Sequence, residues 1–221
     1  MGGYPSLFMA HYVFDYRLLR LLVGVVALTL PVTVSIISAD QLSSISASYY
    51  SEARDVFVGQ LFVVAALLFA YRGHSEFQNW VSNLAALAAV GIALFPVPAT
   101  NQVFSPAAAV HYGSAAVMFG ILAWFCLVPF LHRTRRGGTK KRRRARIYRL
   151  CGWGILLSMG AIITAMTLLP AEIRERWEMI YWLESIALWL FGLAWMTAGK
   201  VIPYLSEPRE ALKLTLFLAY P

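Results

Sequence analysis

Long apolar runs dominate this chain, separated by short polar segments. A helix that crosses a bilayer needs roughly 20 mostly apolar residues. Six windows reach or approach that length: 18–38, 55–72, 82–98, 112–132, 150–169 and 178–200. The second and third are short. A backbone that faces lipid must satisfy its own hydrogen bonds, so all six are expected as helices. The pattern predicts an all-α polytopic membrane protein, a six-transmembrane-helix bundle. A segment over 1–17 precedes it and a tail over 201–221 follows it.

Smaller features mark ends and contacts. Pro31 and Pro129 are expected to kink or end their helices, and Pro96 with Pro98 to mark the end of the third. Lipid gives apolar side chains no preference for one another, so helix contacts should use small residues. Candidates are Ala85, Ala89 and Ala93 in the third window, Ala116 and Gly120 in the fourth, and Gly160 and Thr164 in the fifth. Trp and Tyr gather near the predicted boundaries, as in an aromatic belt.

Composition agrees with this reading. Of 221 residues, 59% are hydrophobic and 14% charged, where soluble domains carry about 25% charged residues. Mean hydropathy is +0.63. The N-terminus does not follow the signal-peptide pattern, so the first span reads as an uncleaved anchor. MGGYPS matches a myristoylation pattern at Gly2 and Ser6, one short enough to arise by chance.

Charge then orients the bundle. Ten of the nineteen basic residues fall between Arg133 and Arg149, in RTRRGGTKKRRRARIYR, with no acid among them. Lys and Arg in short loops are retained on the cytoplasmic side, which places this loop inside. An even number of spans then puts both termini in the cytoplasm. The outer side receives seven acids and three bases, and the inner side sixteen bases and four acids. Arg17, Arg20, Arg72 and Lys200 agree with the same orientation. Arg142, Arg143 and Arg144 are expected to contact anionic headgroups. Nucleic acid is the weaker explanation of the basic loop, and none is expected as a partner.

Candidate chemistry falls on the outer side. Ser43–Asp55 reads SSISASYYSEARD and leads into the second span. Arg54 and Asp55 sit at its lip, where an acid meets the positive end of a helix dipole. Tyr49 and Tyr50 could close over a site. His111 is the one outer histidine; His11, His74 and His132 are cytoplasmic. Its ordinary pKa, near 6.5, suits proton transfer. Glu184 lies about two turns into the sixth span, near Tyr181. An acid there must be protonated, paired or wet, with Arg54 the obvious partner. His111 and Glu184 are therefore the candidate catalytic residues, and Tyr49, Tyr50, Arg54, Asp55 and Tyr181 the candidate ligand contacts. A structural ion pair is the plainer alternative for Arg54 and Glu184. Cys126 and Cys151 read as packing residues. One outer histidine with carboxylates is a weak zinc set, and no cofactor or metal is expected.

Three blocks carry a resemblance: SISASYYSEARDVFVGQL, RIYRLCGW and WLESIALWLFGLAWMTAGK. Together they resemble a family of uncharacterised bacterial six-span integral membrane proteins with a domain of unknown function. The resemblance covers residues from about 20 to 200. Its pattern includes Arg54, Asp55, His111, Trp153, Glu184 and Lys200, and the tail after Pro203 departs from it. It implies the topology and a bacterial inner membrane, and names no substrate. Three functions are open: binding a small or lipid-like ligand for sensing or transport, catalysis on a lipid or isoprenoid headgroup, and a scaffold role. In the catalytic reading His111 or Glu184 acts as acid/base while Arg54 holds an anionic group.

Overall fold

The structure is a computed structural model and describes residues 16–39, 41–98, 105–134 and 138–206. Gly2, His11, Asp40 and the tail beyond Ser206 lie outside the described residues. Those described form seven α-helices and no strand: α1 Tyr16–Ile37, α2 Arg54–Ala70, α3 Glu76–Leu94, α4 Pro106–Phe125, α5 Thr139–Leu168, α6 Ala171–Arg176 and α7 Met179–Ala198. A π turn, Cys126–Phe130, carries α4 onward, and 3-10 turns form at Ser46–Tyr50 and Pro203–Leu205. Five helices are long and apolar enough to cross a membrane: α1, α3, α4 with its π turn, α5 and α7. The chain is a helical membrane protein. The 17 residues of α2 make it the shortest of the packed helices.

Local chemistry moves several boundaries from those expected. α4 begins six residues before 112, because Ser105 caps it by accepting from the Ala108 amide and Pro106 fits its first turn. α3 begins at Glu76, where the Ser75 hydroxyl accepts from Gln78 N. It ends at Leu94, just before Pro96. Pro129 has no N–H to continue the α4 ladder, and the π turn absorbs that break. The largest change concerns the basic segment. From Thr139 onward it is no loop but the first three turns of α5, a 30-residue helix. Lys and Arg are good helix formers, and extended Gly138 stands at the N-cap just before them.

The six long helices form a sequential ring in which α7 closes back on α1. α1 and α7 run antiparallel, as their contacts show: Arg20 with Ala198 at one end, and Tyr181 with Pro31 toward the other. Pro31 stays inside α1. α7 covers this stretch, with Trp189 donating to Leu28 O and Tyr181 to Pro31 O. At the basic end an aromatic core of Tyr71, Phe125, Phe130, Phe191 and Trp195 fills the ring, with centroids 5.1–5.9 Å apart.

Ala85, Ala89 and Ala93 are buried on α3, as expected. Ala116, Gly120, Gly160 and Thr164 instead face outward, and a Cβ placed on Gly120 or Gly160 would meet nothing within 4 Å. The close helix approaches use other glycines. Gly24 meets Gly192 between α1 and α7, and Gly152 lies against Cys126 and Leu127. Cys126 and Cys151 are buried free thiols. Tyr71, Tyr148 and Tyr181 are core residues, not members of a belt, whereas Trp80, Trp153, Trp177 and Trp182 are exposed.

Candidate functional site

The outer residues do not form one pocket. Arg54 is 59% exposed, and its Nε lies 3.7 Å from its chain neighbour Asp55, itself 94% exposed. Its guanidinium rests over the Tyr49 ring at 5.5 Å. Tyr50 turns away and donates to Val97 O at 2.7 Å. The carboxylate of Glu184 is taken by backbone instead of Arg54: Oε2 accepts from Ile45 N at 2.7 Å, and the carboxylate also meets the Ser46 amide.

His111 and Glu184 do converge, on the same short turn. His111 is buried, with Nδ1 2.6 Å from Phe95 O and Nε2 3.0 Å from Ser46 Oγ. A carbonyl only accepts, so Nδ1 donates, and the neutral ring then accepts the Ser46 hydroxyl at Nε2. Tyr181 N donates to Ser43 O, and its hydroxyl to Pro31 O. α4 and α7 thus pin the 43–50 segment over the acidic end of the ring. Both ring nitrogens of His111 are engaged, and this geometry supports a clamp. Glu184→Gln keeps an oxygen acceptor for Ile45 N–H and is expected to be nearly as stable as the parent. Glu184→Ala orphans that amide and should cost about 1–3 kcal/mol in unfolding of detergent-purified protein. Equal stability of the alanine variant and the parent would remove the clamp.

The other end carries a larger polar feature. A half-open cavity of ≈ 270 Å³ lies where all six long helices meet. α1 contributes Arg20. Tyr71 follows α2, His74 precedes α3, and Gln78 lies in the first turn of α3. Phe130, Arg133 and Thr134 enter from the end of α4. Lys141, Arg144 and Tyr148 enter from the start of α5, and Ala198 and Lys200 from the end of α7. No acid is present among the described lining residues.

Arg20 forms the floor. It donates from Nη1 to Ala198 O at 3.0 Å and from Nη2 to the Tyr71 hydroxyl at 2.8 Å. Its guanidinium lies 5.3 Å from the Tyr71 centroid and 5.7 Å from that of Phe130. A cation on the last carbonyl of α7 meets the negative end of that helix dipole. Its Nε is buried without a partner.

Like charges crowd one another here. Partial burial, then Arg133 and Arg20, hold His74 below the ordinary imidazole value. Partial burial and Arg20 pull Arg133 down as well. Lys200 adopts φ 58°, the left-handed position normally left to glycine, at the end of α7. Its amide donates to Thr197 O, and Val201 N to Met196 O, which closes that helix.

Of the three arginines expected at headgroups, only Arg144 lines the cavity, at 4% exposure; Arg142 and Arg143 are exposed. Arg20, Tyr71, His74, Arg133, Lys141, Tyr148 and Lys200 were not among the expected site residues. One signal was available: Lys141, Arg144 and Tyr148 stand at i, i+3 and i+7, one face of a helix. Guanidinium forks, ammonium groups and hydroxyls are the donors that hold phosphate oxygens. Comparisons with family models, curated proteins and solved structures find no match to this chain.

Proposed function

We propose that this is a multi-pass protein of a bacterial inner membrane that binds a phosphate-bearing anion, lipid-borne or free, in the cavity at its cytoplasmic end. The carrying observation is the convergence of Arg20, His74, Arg133, Lys141, Arg144 and Lys200 on one cavity at one end of the ring. Retention of a loop in the cytoplasm requires exposed charge, which Arg142 and Arg143 supply. It does not require Arg144 to be buried. Arg20, Arg133 and His74 stand close enough to repel one another, and an anion among them offsets that repulsion. Ligand binding thus moves from the outer side, where the sequence pointed, to the inner one.

Membership of the six-span family belongs to the same proposal, with α2 as the sixth span. Its 17 residues extend about 25 Å, against a hydrocarbon core of roughly 30 Å. Its place in the ring between α1 and α3 supports a crossing. The distribution of bases supports cytoplasmic termini. Glu52 and Thr139 are exposed at opposite ends, so single cysteines there test orientation. An impermeant thiol reagent added from the periplasm should label position 52 and spare 139; the reverse pattern would overturn the topology.

Sulfate tests the binding reading, because its charge is constant through the neutral range. Low millimolar sulfate should raise the Tm of the detergent-purified protein relative to chloride at equal ionic strength. The double variant Lys141→Gln, Arg144→Gln should lose that rise. His74 titrates below its unfolded value, so its contribution to stability falls as pH drops through about 6.5. An anion beside Arg20 and Arg133 lifts that depression. The sulfate effect should therefore be larger near pH 6 than near pH 8. An equal rise in the double variant would sink the reading.

A further inference from the structure

We infer that a second cavity, at the acidic end of the ring, binds a primary ammonium group, lipid-borne or free. It lies at the opposite end from the anion cavity and does not depend on it. Its volume is ≈ 340 Å³. Ser35, Ser38 and Gln41 line it from the end of α1 and the segment that follows, and Glu178 and Tyr181 from the start of α7. The 22 residues of α1 extend about 33 Å, against a hydrocarbon core of roughly 30 Å. The end of α1, and the cavity with it, therefore stands at the depth of lipid headgroups.

Two side chains of this lining lack partners. Glu178 caps no amide of α7 and forms no ion pair with a described residue. Ser38 is 8% exposed, and its Oγ has no hydrogen-bond partner. A buried hydroxyl in that state points to a partner from outside the chain. Charge then selects a cation. The negative end of α1 and the positive end of α7 meet here, about half a charge each, and offset one another. The charge of Glu178 is left over. The last turn of α1 holds no base, and no base is present among the described lining residues.

Donor count selects the kind of cation. A primary ammonium has three N–H donors and no acceptor. The Glu178 carboxylate, the Ser38 hydroxyl and the Gln41 amide oxygen are acceptors on one cavity. A quaternary ammonium has no N–H and is held by aromatic cages. Tyr181 is the one aromatic ring among the described lining residues, and its hydroxyl already donates to Pro31 O. Calcium takes about 6–8 oxygens, commonly from several carboxylates, whereas the described lining holds the carboxylate of Glu178 alone.

The full-length protein in detergent is titrated calorimetrically at fixed pH and ionic strength. The probes are ethanolamine and choline, dihexanoyl phosphatidylethanolamine and dihexanoyl phosphatidylcholine, and calcium chloride. The primary amine of a pair should bind about tenfold or more tighter than its quaternary counterpart, the gain of one charge-assisted hydrogen bond. Glu178→Gln should lose that preference, and Ser38→Ala should narrow it. Glu178 holds φ 47°, a left-handed backbone that glycine adopts freely. Glu178→Gly should therefore be as stable as the parent and still lose the preference, which separates loss of the carboxylate from loss of the fold. Preference with the lipid pair alone supports a lipid-borne amine. Preference with the soluble pair alone supports a free one, and preference with both supports either source. Equal affinity within both pairs overturns the inference, as does a preference that survives Glu178→Gln. Calcium binding tighter than either amine, or failure of all five probes, overturns it as well.

Discussion

Arg20→Ala is expected to abolish anion binding and to destabilise the fold together. Arg20 ties three helices at one end of the ring. It bonds to the last carbonyl of α7, that of Ala198, and to the Tyr71 hydroxyl beyond α2, while itself part of α1. A hydrogen bond to a charged group contributes about 1.5–3 kcal/mol. Cation–π contacts with Tyr71 and Phe130 add about 0.5–1 kcal/mol each. Relief of repulsion with Arg133 works in the opposite sense. The net loss should be about 2–4 kcal/mol, part of it from leaving the hydroxyl of buried Tyr71 without its donor.

Two further variants separate the roles. Tyr71→Phe keeps the ring and removes the hydroxyl, so it should cost about 1 kcal/mol and retain anion binding. Arg20→Lys keeps the charge but has one ammonium where the fork met two acceptors. It should keep part of the anion affinity and lose part of the stability. Denaturant unfolding gives the stabilities. Sulfate calorimetry, below the Tm of each variant, gives the affinities. Unchanged sulfate affinity in Arg20→Ala would remove Arg20 from the site.

The helices were legible because a bilayer imposes long apolar segments, and each of the six expected windows became a helix of the ring. Their ends were less legible, because hydropathy does not register caps. Ser105-Pro106 is a start signal written in polar and neutral residues ahead of the apolar run. The basic segment misled in the opposite way. Its charge excludes it from the apolar core, yet Lys and Arg continue a helix readily. α5 therefore extends past the hydrophobic run and turns Lys141, Arg144 and Tyr148 into the cavity.

The candidate site was legible only in part, because it depends on ring closure. Nothing local links Arg20 to Lys200 or Arg133; they meet because α7 returns to α1 and all six helices bring one end together. The outer residues show the reverse error. Arg54, His111 and Glu184 share one end, but the 43–50 segment folds across it, and its amides and hydroxyl meet His111 and Glu184 first. Small-residue spacing failed for a related reason. Ala116/Gly120 and Gly160/Thr164 have the right interval on the wrong face, and the face is set by the partner helix.

Gly192→Leu is expected to have the largest effect on folding. A Cβ at Gly192 would stand 2.9 Å from Gly24 O and 2.9 Å from Leu28 Cγ. The first is backbone and cannot rotate away, so α1 and α7 must separate. Alanine alone should cost about 1–3 kcal/mol, in line with overpacking elsewhere. Leucine would hold the helices apart along their length. The Trp189 bond to Leu28 O, the Tyr181 bond to Pro31 O and the Arg20 bond to Ala198 O all span this contact. Loss of folded, monodisperse protein is the expected outcome, with any remaining fraction unable to bind sulfate. Gly120→Leu is the control, since that glycine is exposed with no neighbour within 4 Å, and it should behave as the parent. Both are compared by size exclusion and thermal unfolding in the same detergent. Equal damage from the two substitutions would show that the α1–α7 approach does not hold the ring closed, and would separate the anion cavity from it.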